Sequence, residues 1–335
     1  MMSFMLRISP RFAWRVVPVL CLIVMFGASW TALSQEDPTP TVDPAVEADA
    51  SATPGPTPTP PPQPDPFETF QGQYGSARLL FEGLPQGGVG VVKVVGEGIT
   101  EASAVFLDRV ILFFPARDEG LFALLTVNIE QAARVYPLSI TLVTDSGRET
   151  LEGEVTVTLG GFIRSSFAIP DDRQYLIDPE VERAEFARLS AVFAAVTPER
   201  AWNETGFSLP IPSVLTSQFG EVRLMNDTVE TRHTGWDLRA AVGTPIMASA
   251  AGRVAFAGVM DIRGNYVVID HGYGVYSGYA HLSQIHVTRG QVVTKDQVLG
   301  LSGNTGRSGG PHLHWEMNIN GDWIDSADFI RMWVP

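Results

Sequence analysis

From residue 67 onward the chain consists of short runs in which apolar and polar positions alternate, broken by Gly, Pro, Asn and Asp. That is the pattern of half-buried strands. Between 67 and 160 the runs 77–81, 89–95, 104–114, 121–127, 137–144 and 152–159 recur roughly every dozen residues and are rich in β-branched side chains, which predicts an all-β sandwich. The period then changes. Asp178-Pro179 reads as a helix start, with Asp as cap and Pro in the first turn. Phe186, Leu189, Phe193 and Val196 follow at helical spacing until Pro198 stops them, so 161–207 is expected to be a connector whose helix packs against a domain. Over 208–335 short strands return, dense in glycine.

Upstream of 67 neither period holds. Arg7, Arg11 and Arg15 precede an apolar run, 16–33, and Ala32-Leu33-Ser34 offers a small-x-small cleavage site. Residues 1–34 therefore read as a signal peptide or, if uncleaved, a membrane anchor. Residues 35–66 hold eleven of the 24 prolines and almost no large apolar side chain, so they are expected to form a disordered, extended linker. The fold class is mainly β: an export segment and Pro-rich linker, an immunoglobulin-like sandwich over 67–160, the helical connector, and a C-terminal antiparallel sheet domain.

Charge and cysteine narrow the chemistry. The formal net charge is -14. Removing residues 1–34 takes away three arginines and no acid, leaving 20 basic against 37 acidic residues, or -17. Such a chain repels nucleic acid and anionic lipid, so no nucleic-acid partner is expected. The single cysteine, Cys21, lies in the apolar run, and the folded part has neither disulfide nor thiolate ligand. Any metal there must be held by His and carboxylate.

Four of the six histidines fall in such a set: His233 and Asp237 in R-H-T-G-W-D-L, His281 in G-Y-A-H-L, and His312 and His314 in G-P-H-L-H-W-E. Thr-Gly-Trp between His233 and Asp237 argues against a helix, and in an extended chain 233, 235 and 237 share a face, with the glycine leaving room for an ion. His312 and His314 likewise share one strand face. His233, Asp237 and one histidine of the pair make three donors, the number found in catalytic zinc sites that keep a fourth position for water. Two histidines then remain to take up the water's proton and to steady the charge that follows. His271, at a hairpin end, and His286, at a strand entry, read as ordinary satisfied residues.

The residues around this set resemble the lysostaphin-type, LytM-like zinc metalloendopeptidases of bacterial cell walls. The motifs stand in that family's order: Ser217-Gln-Phe-Gly220, His233-Thr-Gly-Trp-Asp237, Ala250-Ala-Gly-Arg-Val254, Tyr279-Ala-His-Leu282, Gly290-Gln-Val-Val293, and Gly303-Asn-Thr-Gly306 through Pro311-His-Leu-His314. They cover 208–335. Gly309 departs mildly, where a small hydroxyl residue is common. The resemblance implies a small antiparallel sheet with a groove, one Zn²⁺ per chain held by His233, Asp237 and His314, and His281 and His312 as the catalytic histidines. It implies hydrolysis of peptide bonds in peptidoglycan stem peptides or cross-bridges, with the membrane touched only through an uncleaved N-terminal segment. The location implied is periplasmic or cell-wall associated.

Three other readings compete. A non-catalytic relative could regulate or activate another wall hydrolase, but such members typically lack ligands and here all five residues are present. A carrier domain around Lys295 in G-Q-V-V-T-K-D conflicts with the histidine set and with export. Gly272-Tyr-Gly274-Val-Tyr-Ser-Gly278 imitates a nucleotide loop, yet it lies between two expected strands with no helix to receive a phosphate, so hairpin glycines account for it better.

Overall fold

The structure, a computed structural model, describes residues 61–335. The expected export segment and most of the linker, 1–60, lie outside the described residues. Among the described residues no helix is long and apolar enough to cross a membrane.

Alternation produces the sandwich directly. One sheet runs in the spatial order Glu68–Gln71, Ser76–Leu79, Val89–Val95, Leu121–Thr126, Phe114–Pro115. The other runs Leu84–Pro85, Gly147–Thr158, Val135–Thr144, Ile99–Phe106, Arg109–Leu112. Val92, Val94, Ala123 and Leu125 from the first meet Ala104, Phe106, Leu138, Ile140 and Leu142 from the second in one apolar core. The run 104–114 is not a single strand. Leu107 and Asp108 both take positive φ, 51° and 58°, and turn the chain between Ile99–Phe106 and Arg109–Leu112. Two left-handed residues are what a tight hairpin with matching twist needs, and the absence of Gly or Asn hides the turn from the sequence.

The first sheet is buried on both faces. Val91, Phe122 and Leu124 leave the sandwich core and join the C-terminal one beside Tyr273, Ile319 and Phe329. Phe114 stacks on Tyr273 with centroids 4.2 Å apart and planes 9° from parallel. Asp322 is buried at this junction, accepting from Thr126 Oγ1 at 2.7 Å and paired with Arg109 at 2.6 Å. Separating the two parts here would leave the Asp322 carboxylate buried without its partners, which is costly.

Helix α1, Pro179–Phe193, starts where Asp178 accepts from the Glu180 amide at 2.9 Å. Phe186, Leu189 and Phe193 pack against Met260, Tyr266, Val268, Tyr276 and Trp323. The helix stops at Phe193, so Val196 leaves the stripe and is exposed.

The C-terminal part is built on an eight-stranded antiparallel sheet. Its order is Leu215–Ser217, Trp236–Arg239, His312–Ile319, Val275–Leu282, Gly264–Asp270, Gly252–Met260, Val292–Val293, with Asp322–Ile324 paired to the end of His312–Ile319. Leu313, Trp315, Met317 and Ile319 enter the apolar core, so period two turns 312, 314 and 316 to the opposite face, the one α1 covers. A three-stranded sheet of Arg164–Phe167, Val222–Met225 and Val229–Arg232 stands beside that face. Gly272 and Gly274 form the turn between Gly264–Asp270 and Val275–Leu282, with φ of 89° and 72°. A Cβ at Gly272 would lie 1.9 Å from the Glu199 carbonyl oxygen, so close packing and turn geometry account for this glycine pattern. Lys295 donates to the Thr205 and Gly206 carbonyls and pins that loop.

Candidate metal centre

Trp236–Arg239 pairs antiparallel with His312–Ile319, placing Asp237 opposite His314 and Arg239 opposite His312. His233 lies outside the strand and enters from the preceding turn, held by Gly220 N–H to its carbonyl and by its own N–H to the Glu221 carbonyl. His233 Nε2, Asp237 Oδ1 and His314 Nδ1 converge: both nitrogens are 3.0 Å from the oxygen and 2.9 Å from each other. All three side chains are buried. Gly235 does not make room for an ion, contrary to the sequence expectation. Its missing Cβ would sit 2.4 Å from the Trp315 carbonyl oxygen, so the glycine lets the incoming chain press against the His312–Ile319 strand.

The partners of each ring nitrogen set its tautomer. His233 Nδ1 donates to the Gln218 carbonyl at 2.7 Å, which leaves a lone pair on Nε2. His314 Nε2 faces Glu316 Oε2 at 3.2 Å, which leaves Nδ1 toward Asp237. Two imidazole lone pairs and one carboxylate oxygen meeting at about one point are the donor set of a divalent metal, and the residues fit such an ion.

His281 and His312 stand beside this trio. Their ring centroids are 4.7 Å apart, and His281 is 5.8 Å from His314. His281 Nδ1 donates to the Thr305 carbonyl and His312 Nδ1 to the Gly310 carbonyl, both at 2.8 Å, so each keeps Nε2 available. His312 Nε2 lies 3.4 Å from Asp237 Oδ1. His281 holds a φ of 60°, costly for a residue with a Cβ, and its amide is fixed by the Arg263 carbonyl at 2.8 Å. The fold thus brings all five expected residues to one place. His271 is far from them in role: fully buried, it bonds the Ala251 carbonyl and Ser277 Oγ. His286 is exposed.

Residues 231–326 match the model of peptidase family M23. Peptidoglycan DD-endopeptidase ShyA of Vibrio cholerae is 47% identical over 89 residues, 27% of this chain and 21% of its own length. DD-carboxypeptidase/endopeptidase Mpg of Neisseria meningitidis is 49% identical over 93 residues, 28% of this chain and 21% of its own. The chain therefore spans about a fifth of the length of the curated relatives it matches. A crystal structure from Pseudomonas aeruginosa assigned to peptidase M23 aligns over 73% of this chain and 93% of its own, with a TM-score of 0.56 and 28% identity. The stretch that matches family M23 contains all five site residues.

Around the M23 histidines lies a buried ionic chain that the sequence reading missed. Arg263 donates through Nε and Nη2 to both oxygens of Glu316, at 2.7 and 2.9 Å, and through Nη1 to Glu185 at 2.9 Å. Glu185 belongs to α1, outside the matched stretch, and also accepts the Ile262 amide at 2.7 Å. Tyr266 and Thr234 donate to Glu316 as well. Glu316 is thus fixed from four sides and in turn orients His314. Its place could have been found from parity, since it lies two residues beyond His314 on the same face; Arg263 and Glu185 carry no such signal. Arg223, also unforeseen, bonds Asp237 Oδ2, which leaves Oδ1 to the histidines.

Charge follows these contacts. Burial lowers His233 to about 4, with Asp237 only partly opposing it. Burial works against the Asp237 carboxylate, but His233 and Arg223 hold it well below the usual range. Burial also works against protonated His314, yet bonds to Asp237 and Glu316 raise it above the ordinary histidine value. Burial, with His312 and His314 nearby, keeps His281 neutral. Arg263 outweighs burial and holds Glu316 well below an ordinary carboxylate.

The site opens into a cleft. Toward α1 it is lined by Phe167, Phe186, Arg223, Met225 and Arg307. Toward the other end it widens to about 500 Å³ between Ser165–Phe167, Thr216–Ser217, Arg239 and 307–312. No sandwich residue lines either part. Gly309 lies on the wide part, where a Cβ would meet nothing nearer than the Ala168 carbonyl oxygen at 3.9 Å, so the departure leaves the wall intact.

Proposed function

We propose that this chain is a zinc-dependent endopeptidase that hydrolyses peptide bonds in peptidoglycan stem peptides or cross-bridges. The observation that carries the reading is the convergence of two imidazole lone pairs and Asp237 Oδ1 with two further histidines beside them. The names of the relatives, peptidoglycan DD-endopeptidase and DD-carboxypeptidase/endopeptidase, support the substrate class. His233, Asp237 and His314 would hold the ion, which when bound polarises a peptide carbonyl and lowers the pKa of water.

The chain's own groups do the rest. His312 and His281 both line the cleft with Nδ1 engaged by a carbonyl oxygen, so the Nε2 of either could accept a proton from water. The histidine that takes it becomes a donor at both nitrogens, able to steady negative charge on the carbonyl oxygen and then to protonate the departing amine. Arg223 keeps Asp237 oriented, and the Glu316 chain keeps His314 oriented. Arg164–Phe167 and Leu215–Ser217 are edge strands of their sheets and flank the wide end of the cleft. Two such edges suit an extended peptide. The reading places the reaction outside the cytoplasm, on the strength of the apolar run 16–33.

The test is digestion of purified peptidoglycan with the full chain, followed by mass spectrometry of the released muropeptides. New amino termini that disappear with a chelator and return with zinc are expected. A chain that binds zinc and releases none would leave the regulatory reading in its place.

A further inference from the structure

Three arginines line the wide part of the cleft, and they are not equivalent. Arg223 is paired with Asp237 and Glu221, and Arg307 with Glu182 at 3.3 Å. Arg239 is exposed and, among the described residues, its guanidinium has neither an ion pair nor a hydrogen-bond partner. Only its backbone is engaged, its N–H with the Val214 carbonyl and its carbonyl with Ser213 Oγ. Strand register fixes where the side chain stands: directly opposite His312 and two residues beyond Asp237, on the face that carries both.

The charges around it leave a single sign unsatisfied. The carboxylates lining this part are Glu221 and Asp237, and Arg223 already bonds both. Ser165, Ser166, Thr216 and Ser217 add hydroxyls and no charge. A chain with a net charge of -14 therefore keeps an uncompensated cation beside its candidate catalytic histidine. A guanidinium offers a planar fork of donors that matches a carboxylate.

We infer that Arg239 is the recognition point for a free carboxylate on the peptide substrate, which deepens, and rests on, the peptidase reading above. An extended strand advances roughly 3.3 Å per residue, so Arg239 Cα lies roughly 7 Å along from Asp237 Cα. The carboxylate it meets therefore lies within a few residues of the bond that is cut. Two sources have this chemistry: a chain-terminal α-carboxylate and a side-chain carboxylate.

The test compares zinc-loaded wild type, Arg239→Gln and Arg239→Lys on two pairs of synthetic wall-type peptides. One pair differs only in a terminal carboxylate or carboxamide, the other only in a side-chain carboxylate or carboxamide. In one pair, wild type is expected to favour the carboxylate member by roughly tenfold or more in kcat/KM. Arg239→Gln should bring that member down to the rate of its amide while leaving the amide within about twofold, and Arg239→Lys should retain part of the preference. The pair that responds identifies the source. Equal slowing of both members by Arg239→Gln, or no preference in either pair, overturns the inference. If wild type cuts no peptide, the peptidase reading fails separately, and the same pairs are scored by fluorescence anisotropy of labelled peptides. A carboxylate preference in binding that Arg239→Gln removes still supports the subsite, and its absence overturns it.

Discussion

The sandwich and the C-terminal sheet are both antiparallel β structure, yet they bury different things. The sandwich core is apolar throughout, built from residues such as Val92, Phe106, Leu138 and Ile140, and the one buried charge on its strands, Lys93, lies on the opposite face beside Trp333, tied to Asp118. The C-terminal part buries Glu221, His233, Asp237, Arg263, His271, His281, His314 and Glu316. A charge taken from water costs several kcal/mol unless it is paired, so this investment is concentrated where groups must be held in one protonation state and one orientation. The sandwich contributes stability through area and packing. The second region gives up some of that stability for a fixed arrangement of ionisable groups.

The largest effects should come from breaking the ionic chain. Arg263→Met leaves Glu316 and Glu185 buried without their cation and is expected to destabilise by roughly 3–5 kcal/mol in chemical denaturation. Leu138→Ala in the sandwich should cost a similar roughly 2–5 kcal/mol, through lost apolar burial and the cavity left behind. The two variants separate in metal affinity: Arg263→Met should weaken zinc binding, Leu138→Ala should leave it unchanged. Glu316→Gln, which keeps the shape, is expected to lower zinc affinity by roughly 10–100-fold in a competitive chelator titration. Unchanged affinity would show that Glu316 does not orient His314.

A pH series gives the next largest effect. His271 is fully buried and lowered by that burial to about 4, below the roughly 6.5 of an unfolded histidine. A depressed histidine stabilises the fold above its unfolded pKa, and that contribution is lost as pH falls toward the folded value. His271→Asn should therefore flatten the acid slope of unfolding free energy between pH 6.5 and 4 by on the order of 3 kcal/mol. An identical slope in the variant contradicts this. Smallest of all, Val110→Ser on the exposed edge of the sandwich should change stability by no more than about 0.5 kcal/mol.

The same contrast explains what was legible in the sequence. Alternation revealed the mainly β architecture, and motif spacing brought out the five site residues, because both are local. The Leu107-Asp108 turn was hidden, since two non-glycine residues accept positive φ there. The role of Gly235 was misread for a tertiary reason: the close neighbour is Trp315, far along the chain. Arg263 and Glu185 were invisible because their partnership spans 78 residues and joins the M23 stretch to a helix outside it. Arg239 became distinguishable from the other arginines only once their carboxylate partners were known.

The division of the histidines into ligands and proton carriers is the central claim, and metal content measured beside peptidoglycan cleavage tests it most directly. His312→Ala should retain about one zinc per chain and release no new amino termini, whereas His314→Ala should lose the zinc and the cleavage together. Loss of zinc from His312→Ala, or cleavage surviving in His314→Ala, would contradict the account.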